Sequence, residues 1–298
     1  TKTTYQNQSF MVLFKKSEDL SKWIETQRRL TPSEQFFSMG FVPTMGALHQ
    51  GHISLIEASK AENDLTVCSI FVNPTQFNDT KDFEKYPATI ETDIEKLEAA
   101  GCDVLFLPAV SEIYPQGTQL LKHYNLGFLE TVLDGKFRPG HFQGVCQVVE
   151  RLLQIVKPTQ LYLGQKDYQQ CMVISKLVDL MGWGNKMKIN ICPTLREADG
   201  LAMSSRNMRL NKDDRIKAVT IYQCLNYLKE NIKPGNLQYL KEMAVKKLEQ
   251  NGFKPDYISI ADAYSLEEIV NWDGHQKPVA LIAAFLNEVR LIDNMVLG

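Results

Sequence analysis

Apolar positions along the first two thirds of the chain alternate between two periods. Continuous or β-branched apolar runs at residues 36–42, 65–72, 104–107, 161–163 and 188–192 read as buried strands. Between them lie stretches with helical spacing. Residues 17–28 are amphipathic. Residues 52–63 place Ile53, Leu55, Ile56 and Ala58 on one stripe before a polar end. Residues 89–100 repeat through Ile90, Ile94 and Leu97 and stop at Gly101. Residues 142–156 end before Pro158, and residues 168–181 end at Gly182. Strand and helix in alternation predict an α/β domain: a Rossmann-like parallel sheet with helices on both faces and right-handed crossovers. The first strand is expected to end at Pro43, which cannot donate to a ladder.

Past about Cys192 the pattern changes. Two long helical stretches, 212–231 and 237–251, precede strand-like runs at 257–260, 279–285 and 288–292. Helices followed by strands predict a smaller α+β domain. The expected division is therefore residues 1–192 and 193–298, with no internal repeat.

Composition narrows the class. The 298 residues are 44% hydrophobic and 23% charged, with a formal net charge of -2. That balance favours no nucleic-acid or anionic-membrane partner. The longest apolar run, 278–286, is far shorter than a membrane span, and the first ten residues lack the apolar core of a secretion signal. Six cysteines, at 68, 102, 146, 171, 192 and 224, form no CxxC pair. They are expected to be buried thiols of a cytoplasmic protein.

The most informative stretch is FVPTMGALHQGHISLI, residues 41–56, between a predicted strand and a predicted helix. Ligands of open α/β sheets bind beyond the carboxyl ends of strands, and a helix N-terminus there offers free N–H groups to phosphate. Gly46 and Gly51 let the backbone approach a ligand. His49 and His52 share one helix face if the helix starts beside them, and they can donate to a triphosphate. Packing or capping is the alternative role. Two histidines are too few for zinc, and no HExxH or CxxC adds to them. GxxxxGK[ST], GxGxxG and GxSxG are absent from the sequence, so P-loop, dinucleotide and serine-hydrolase chemistry are not indicated.

PTMGALHQGH resembles the first motif of the pantoate–β-alanine ligase family, within the HxGH superfamily of nucleotidyl transferases. FVNPTQF (71–77), RPGHFQGV (138–145), LGQKDYQQ (163–170), READGLAMSSRN (196–207) and RLIDN (290–294) follow in the family's order, so the resemblance spans about residues 36–298. It implies a Rossmann-like domain with a smaller C-terminal lid domain, a homodimer, and two half-reactions. Pantoate carboxylate attacks the α-phosphate of ATP, giving pantoyl adenylate and pyrophosphate. The amine of β-alanine then displaces AMP. Mg2+ accompanies the ATP.

The resemblance also implies roles. ATP is contacted by Pro43, Thr44, Met45, Gly46, His49, Gly51 and His52, with His52 the main catalytic histidine. Gly164, Gln165, Lys166, Asp167 and Leu195 surround the nucleotide, and Lys166 suits its phosphates. Met203, Ser204, Ser205 and Arg206 match a nucleotide loop whose hydroxyls and guanidinium grip oxygens as pyrophosphate forms. Gln76 and Gln170 match the pantoate ligands; neutral amides bind hydroxyls and carboxylate without lowering the carboxylate's nucleophilicity. Asn73 and Pro74 shape a turn. Arg138 and His141 either bind or anchor the following helix. Asp93 is expected to be a solvated carboxylate, with an indirect magnesium contact as the alternative. Ala88 departs from the arginine frequent in the family. Other HxGH adenylyltransferases share the histidines but do not predict FVNPTQF with GQKDYQQ. A tRNA synthetase core would leave little room for a tRNA-binding domain. A non-catalytic sensor on the same fold could lose His52, Lys166 or Arg206, and all three are present.

Overall fold

A computed structural model describes residues 11–30, 37–78, 80–119 and 122–298. The polar N-terminal stretch and Phe36, where the first expected strand begins, lie outside the described residues. The chain divides into two compact units. One takes residues up to Leu126, Gly140–Leu163 and Val173–Cys192; the other takes Gly127–Pro139, Gly164–Met172 and Pro193–Gly298. Two short segments thus group with the C-terminal residues, which a single cut at 192 does not capture.

The first unit is built on a six-stranded sheet. Its strands are β1 (Val12–Phe14), β2 (Met39–Thr44), β3 (Leu65–Ile70), β4 (Val104–Phe106), β5 (Gln160–Gly164) and β6 (Lys188–Cys192). They lie in the order β1-β4-β3-β2-β5-β6, and β1–β4, β4–β3, β3–β2 and β2–β5 pair in parallel. The unit's longer helices are α1 (Ser17–Leu30), α2 (Gln50–Glu62), α3 (Ile90–Ala99), α4 (His141–Val156) and α5 (Tyr168–Leu180), whose first residues, up to Met172, group with the second unit. From β2 the chain steps one way to β3 and β4, and from β5 the other way to β6. Right-handed crossovers then put α2 and α3 on one face and α1 and α4 on the other. α2 does pack on α3, and α1 on α4. The reversal between β2 and β5 is a topological switch point, where such sheets open their ligand crevice.

β2 runs one residue past Pro43, where the sequence predicted it to stop. Its pairing with β5 covers only Gly40 and Phe41, so Pro43 interrupts no ladder on that side. β3 is buried at every position, as its unbroken apolar run requires. β1, only three residues long, was too short for its pattern to register.

The second unit carries an antiparallel sheet of β7 (Phe253–Asp262), β8 (Pro278–Leu286) and β9 (Val289–Val296), in the order β9-β8-β7. Besides a short helix at Leu133–Phe137, its helices are α6 (Lys212–Ala218), α7 (Thr220–Asn231) and α8 (Gln238–Gln250). The single helix expected over 212–231 is divided at Val219, whose amide bonds to the Lys217 carbonyl instead of four residues back. The strands run beyond the expected 257–260 and 288–292, because polar residues interrupt the apolar run: exposed Lys254 and partly exposed Asp256 in β7, and buried Asp293 and Asn294 in β9. Ile221, Leu225 and Leu228 of α7 and Leu248 of α8 join Ile260, Ile282 and Leu291 in one core.

The early segments assigned to this unit are tied in by side chains. Arg290 donates to Asp134 at 2.7 Å and Asp256 at 2.7 Å, and the Tyr257 hydroxyl donates to Asp134 at 3.0 Å. Gln169 donates to the carbonyls of Leu129 and Val132 and accepts from the Asp134 amide. The Tyr168 hydroxyl reaches the Ala263 carbonyl at 2.7 Å.

Candidate active site

The turn leaving β2 is shaped by buried polar contacts. Thr44 donates its hydroxyl to the Ser69 carbonyl at 2.7 Å and accepts from the Gly46 amide at 3.2 Å. Gly46 (φ 82) and Ala47 (φ 48) then occupy the left-handed region in succession. That conformation is free for glycine but costs alanine about 1 kcal/mol or more. Asp93 holds it in place. One carboxylate oxygen accepts the Ala47 amide and the other the Leu48 amide, both at 2.8 Å, while the Thr89 hydroxyl adds a bond at 3.2 Å. From the next turn of α3, Lys96 donates to the Leu48 carbonyl at 2.5 Å. Asp93 is fully buried, so the expected solvated carboxylate is corrected: its surroundings are backbone amides, not water.

The turn delivers His49 as the N-cap of α2 and His52 at the third helical position. The His49 amide donates to Nδ1 of His52 at 3.3 Å, and the two rings lie 4.0 Å apart between centroids. Because Nδ1 of His52 accepts, the neutral ring carries its proton on Nε2. His52 therefore presents a fixed N–H donor beside a helix N-terminus, where amides and dipole already favour an anion.

The FVNPTQF segment forms a short 3-10 turn, Pro74–Gln76, after β3. Asn73, almost fully buried, accepts from the Thr75 amide and hydroxyl and from the Tyr114 hydroxyl, and donates to the Gly144 carbonyl. Its amide also donates to Oε1 of Gln76 at 3.1 Å. This fixes the orientation of the Gln76 amide, whose nitrogen points to the Met45 sulfur at 3.0 Å. Two expected ligands, Met45 and Gln76, are thus brought together. His141 bonds through Nδ1 to the Gln76 carbonyl at 2.7 Å; a carbonyl only accepts, so Nδ1 donates. His141 is accordingly an anchor for this turn. Arg138 closes the short helix before it, its amide bonding to the Asp134 carbonyl.

Sequence reasoning missed Gly144 and Tyr114. A Cβ on Gly144 would sit 2.2 Å from the Thr75 carbonyl oxygen, so α4 approaches the turn as closely as a backbone can. Burial pushes the Tyr114 phenol up to about 12, which keeps it a proton donor to Asn73. No local pattern marks Tyr114. Gly144, inside RPGHFQGV, was legible only as a helix-interior glycine asking for a reason.

In the second unit, Gly164 leads into a 3-10 turn, Gln165–Asp167, that carries Lys166 and precedes α5. The Lys166 ammonium is 3.7 Å from the Asp167 carboxylate. Gln170 lies in the first turn of α5, half-buried. In READGLAMSSRN, a bridge between Arg196 and Ala202 and a bond from the Met203 amide to the Leu195 carbonyl make a small two-stranded loop. Gly200 (φ 94) turns it; a Cβ there would meet the Tyr222 ring at 2.0 Å. Ser204 accepts the Arg206 amide at 3.3 Å and caps a 3-10 turn, Ser205–Arg209, in which Ser205 is buried. Leu195 is exposed.

Among the described residues, no cluster of three or more His, Cys, Asp or Glu side chains has the geometry to hold a metal ion. Five cysteines are buried and Cys192 is partly so. Burial raises Cys102 to about 12 and Cys224 to about 11, and lifts Cys68 well above the usual thiol range. None of these three is a thiolate nucleophile at neutral pH.

The sequence model of the "Pantoate-beta-alanine ligase" family matches residues 12–296. The pantothenate synthetase of Cytophaga hutchinsonii is 46% identical over 263 residues, 87% of this chain and 92% of that protein. That of Thermodesulfovibrio yellowstonii is 45% identical over 263 residues, with 87% and 91% covered. The crystal structure of pantothenate synthetase from Thermus thermophilus superposes with a TM-score of 0.83 at 35% identity, covering 96% of this chain and 99% of that one. The pantoate-beta-alanine ligase from Francisella tularensis, complexed with beta-gamma ATP and beta-alanine, gives 0.79 at 40% identity, covering 96% and 97%. With five of its motif segments folded into defined turns and a sixth, RLIDN, on β9, and with the family's sequence matched along almost its whole length, the chain belongs to the pantoate–β-alanine ligase family.

Proposed function

We propose that the chain joins pantoate to β-alanine through a pantoyl adenylate. The observation that carries this is the turn of residues 45–52: an imidazole donor of fixed tautomer at the N-terminus of α2, beside Met45 and an oriented Gln76 amide. A carboxylate oxygen of pantoate attacks the α-phosphorus, and the bond to the bridging oxygen of pyrophosphate breaks. The nitrogen of β-alanine then attacks the acyl carbon, and AMP leaves with the oxygen that pantoate contributed. Such a reaction needs in-line positioning and stabilised charge, not a covalent residue. His52 and His49 donate to phosphate oxygens. Lys166 and Arg206 neutralise the departing pyrophosphate, with Ser204 and Ser205 shaping their loop. Gln76 and Gln170 hold pantoate, and Gly164, Asp167 and Leu195 frame the adenosine.

ATP enters as its Mg2+ complex. The ion would offset charge on the phosphates; Asp93, buried and with both oxygens accepting backbone amides, would not be its direct ligand. A cytoplasmic homodimer is part of the same proposal. Its support is the family resemblance, together with six thiols in a chain where no described helix is long and apolar enough to cross a membrane.

The test uses pantoate labelled with heavy oxygen in its carboxylate. One labelled oxygen is expected in AMP, and pyrophosphate is expected before β-alanine is added. Formation of ADP with labelled inorganic phosphate would instead establish an acyl-phosphate route.

A further inference from the structure

β9 is an apolar edge strand with two buried polar residues in its middle. Asp293 and Asn294 are 5% and 3% exposed, between Leu291 and Met295. Buried polar groups are costly unless every one is bonded, so their partners indicate what they are for. Neither residue is turned only to its own strand. Asn294 donates from Nδ2 to two consecutive carbonyls, Gln165 at 3.0 Å and Lys166 at 2.8 Å, and accepts from the Gln165 side chain at 3.4 Å. Asp293 takes Arg196 in a two-pronged pair at 2.6 and 3.1 Å. Arg196 also donates to the Gly200 carbonyl and the Asn294 carbonyl, and its guanidinium lies 4.8 Å over the Tyr222 ring. Adjacent side chains on a strand leave opposite faces. One edge strand can therefore grip two separate loops.

We infer that Asn294 is a positioning residue for Lys166, and that its neighbour Asp293 does the same through Arg196 for the loop bearing Met203 to Arg206. Gln165–Asp167 is a single 3-10 turn, whose own hydrogen-bond geometry is poorer than that of an α-helix. Its carbonyls at 165 and 166 are claimed by a single amide group, and that sets where the Lys166 side chain leaves the backbone. A displacement of about 1 Å is enough to cost on the order of a hundredfold in a positioned phosphate contact. The inference rests on the reading of Lys166 as a phosphate ligand.

The experiment is a double-mutant cycle on pyrophosphate release from ATP and pantoate. Its variants are Asn294→Ala, Lys166→Ala and the pair. Asn294→Asp serves as a near-isosteric second variant that exchanges the donor for a charged acceptor facing the same two carbonyls, and thermal melts check that each protein folds. Asn294→Ala and Asn294→Asp are expected to lower kcat by roughly tenfold to a hundredfold. In the Lys166→Ala background, removing Asn294 should cost less than about twofold more, because both changes remove one interaction. Full additivity would reduce Asn294 to a structural residue and overturn the inference. Normal turnover in a folded Asn294 variant, with Lys166→Ala impaired, would overturn it alone. Normal turnover in Lys166→Ala would instead remove the reading of Lys166, and the inference with it.

Discussion

At the scale of single residues, the histidines and the aspartate beneath them divide the work. His52 is held by the His49 amide at its Nδ1, so its Nε2 donor is directed by the fold. His52→Ala is expected to slow adenylation about a hundredfold, the scale of one lost transition-state donor, with the melting temperature nearly unchanged. Stopped-flow measurement of pyrophosphate release decides it. Asp93 accepts the Ala47 and Leu48 amides of a left-handed turn. Asp93→Asn replaces one acceptor by a donor facing an N–H. It is expected to cost roughly 1–3 kcal/mol in urea melts, the scale of an unsatisfied buried amide, and to lower kcat as well. Wild-type kcat in a destabilised variant would show that the turn keeps its shape without the carboxylate.

At the scale of elements, periodicity was an effective guide where burial is one-sided or complete. β3, α4 and β6 emerge from their sequence patterns nearly to the residue. It was weak where an element is short, as with β1, or where polar residues interrupt a strand's apolar run, as in β7 and β9. The candidate residues of the site were legible through their motifs, but the framework that aims them was not. Tyr114, Gly144 and Asp93 act through contacts 41, 71 and 45 to 46 positions away in sequence, which no local spacing encodes. Gly144 supplies a direct test. With a Cβ 2.2 Å from the Thr75 carbonyl, Gly144→Ala must push α4 and the 74–76 turn apart. A cost of about 1–3 kcal/mol is expected from such overpacking, with a raised KM for pantoate and little change in KM for ATP if Gln76 serves pantoate. Equal effects on both substrates would argue against that assignment.

At the scale of the whole molecule, stability should depend on pH through carboxylates that cap and clamp. Glu112 accepts the Ser17 hydroxyl at 2.5 Å and amide at 2.9 Å, with Lys16 at 3.2 Å on the other oxygen. These bonds, the hydroxyl first, hold its carboxyl below the usual glutamate range. A lowered folded-state value gives stability that is fully present above the unfolded value and is lost as pH falls through the folded one. Glu112→Gln is therefore expected to cost about 1–2 kcal/mol at pH 7 and progressively less in acid, as urea titrations across that range will show. A second consequence at this scale follows from the way the chain weaves, crossing from one compact unit to the other five times. A gene cut after Cys192 would encode Asp134 but not Arg290 or Tyr257, and Tyr168 but not Ala263. The resulting polypeptide would expose the surfaces meant for the missing sheet and should be insoluble when made alone. Co-expression with residues 193–298 is expected to restore solubility. Library screens that recombine homologous genes should tolerate crossover points inside either unit's own loops far better than at the apparent midpoint of the reading frame.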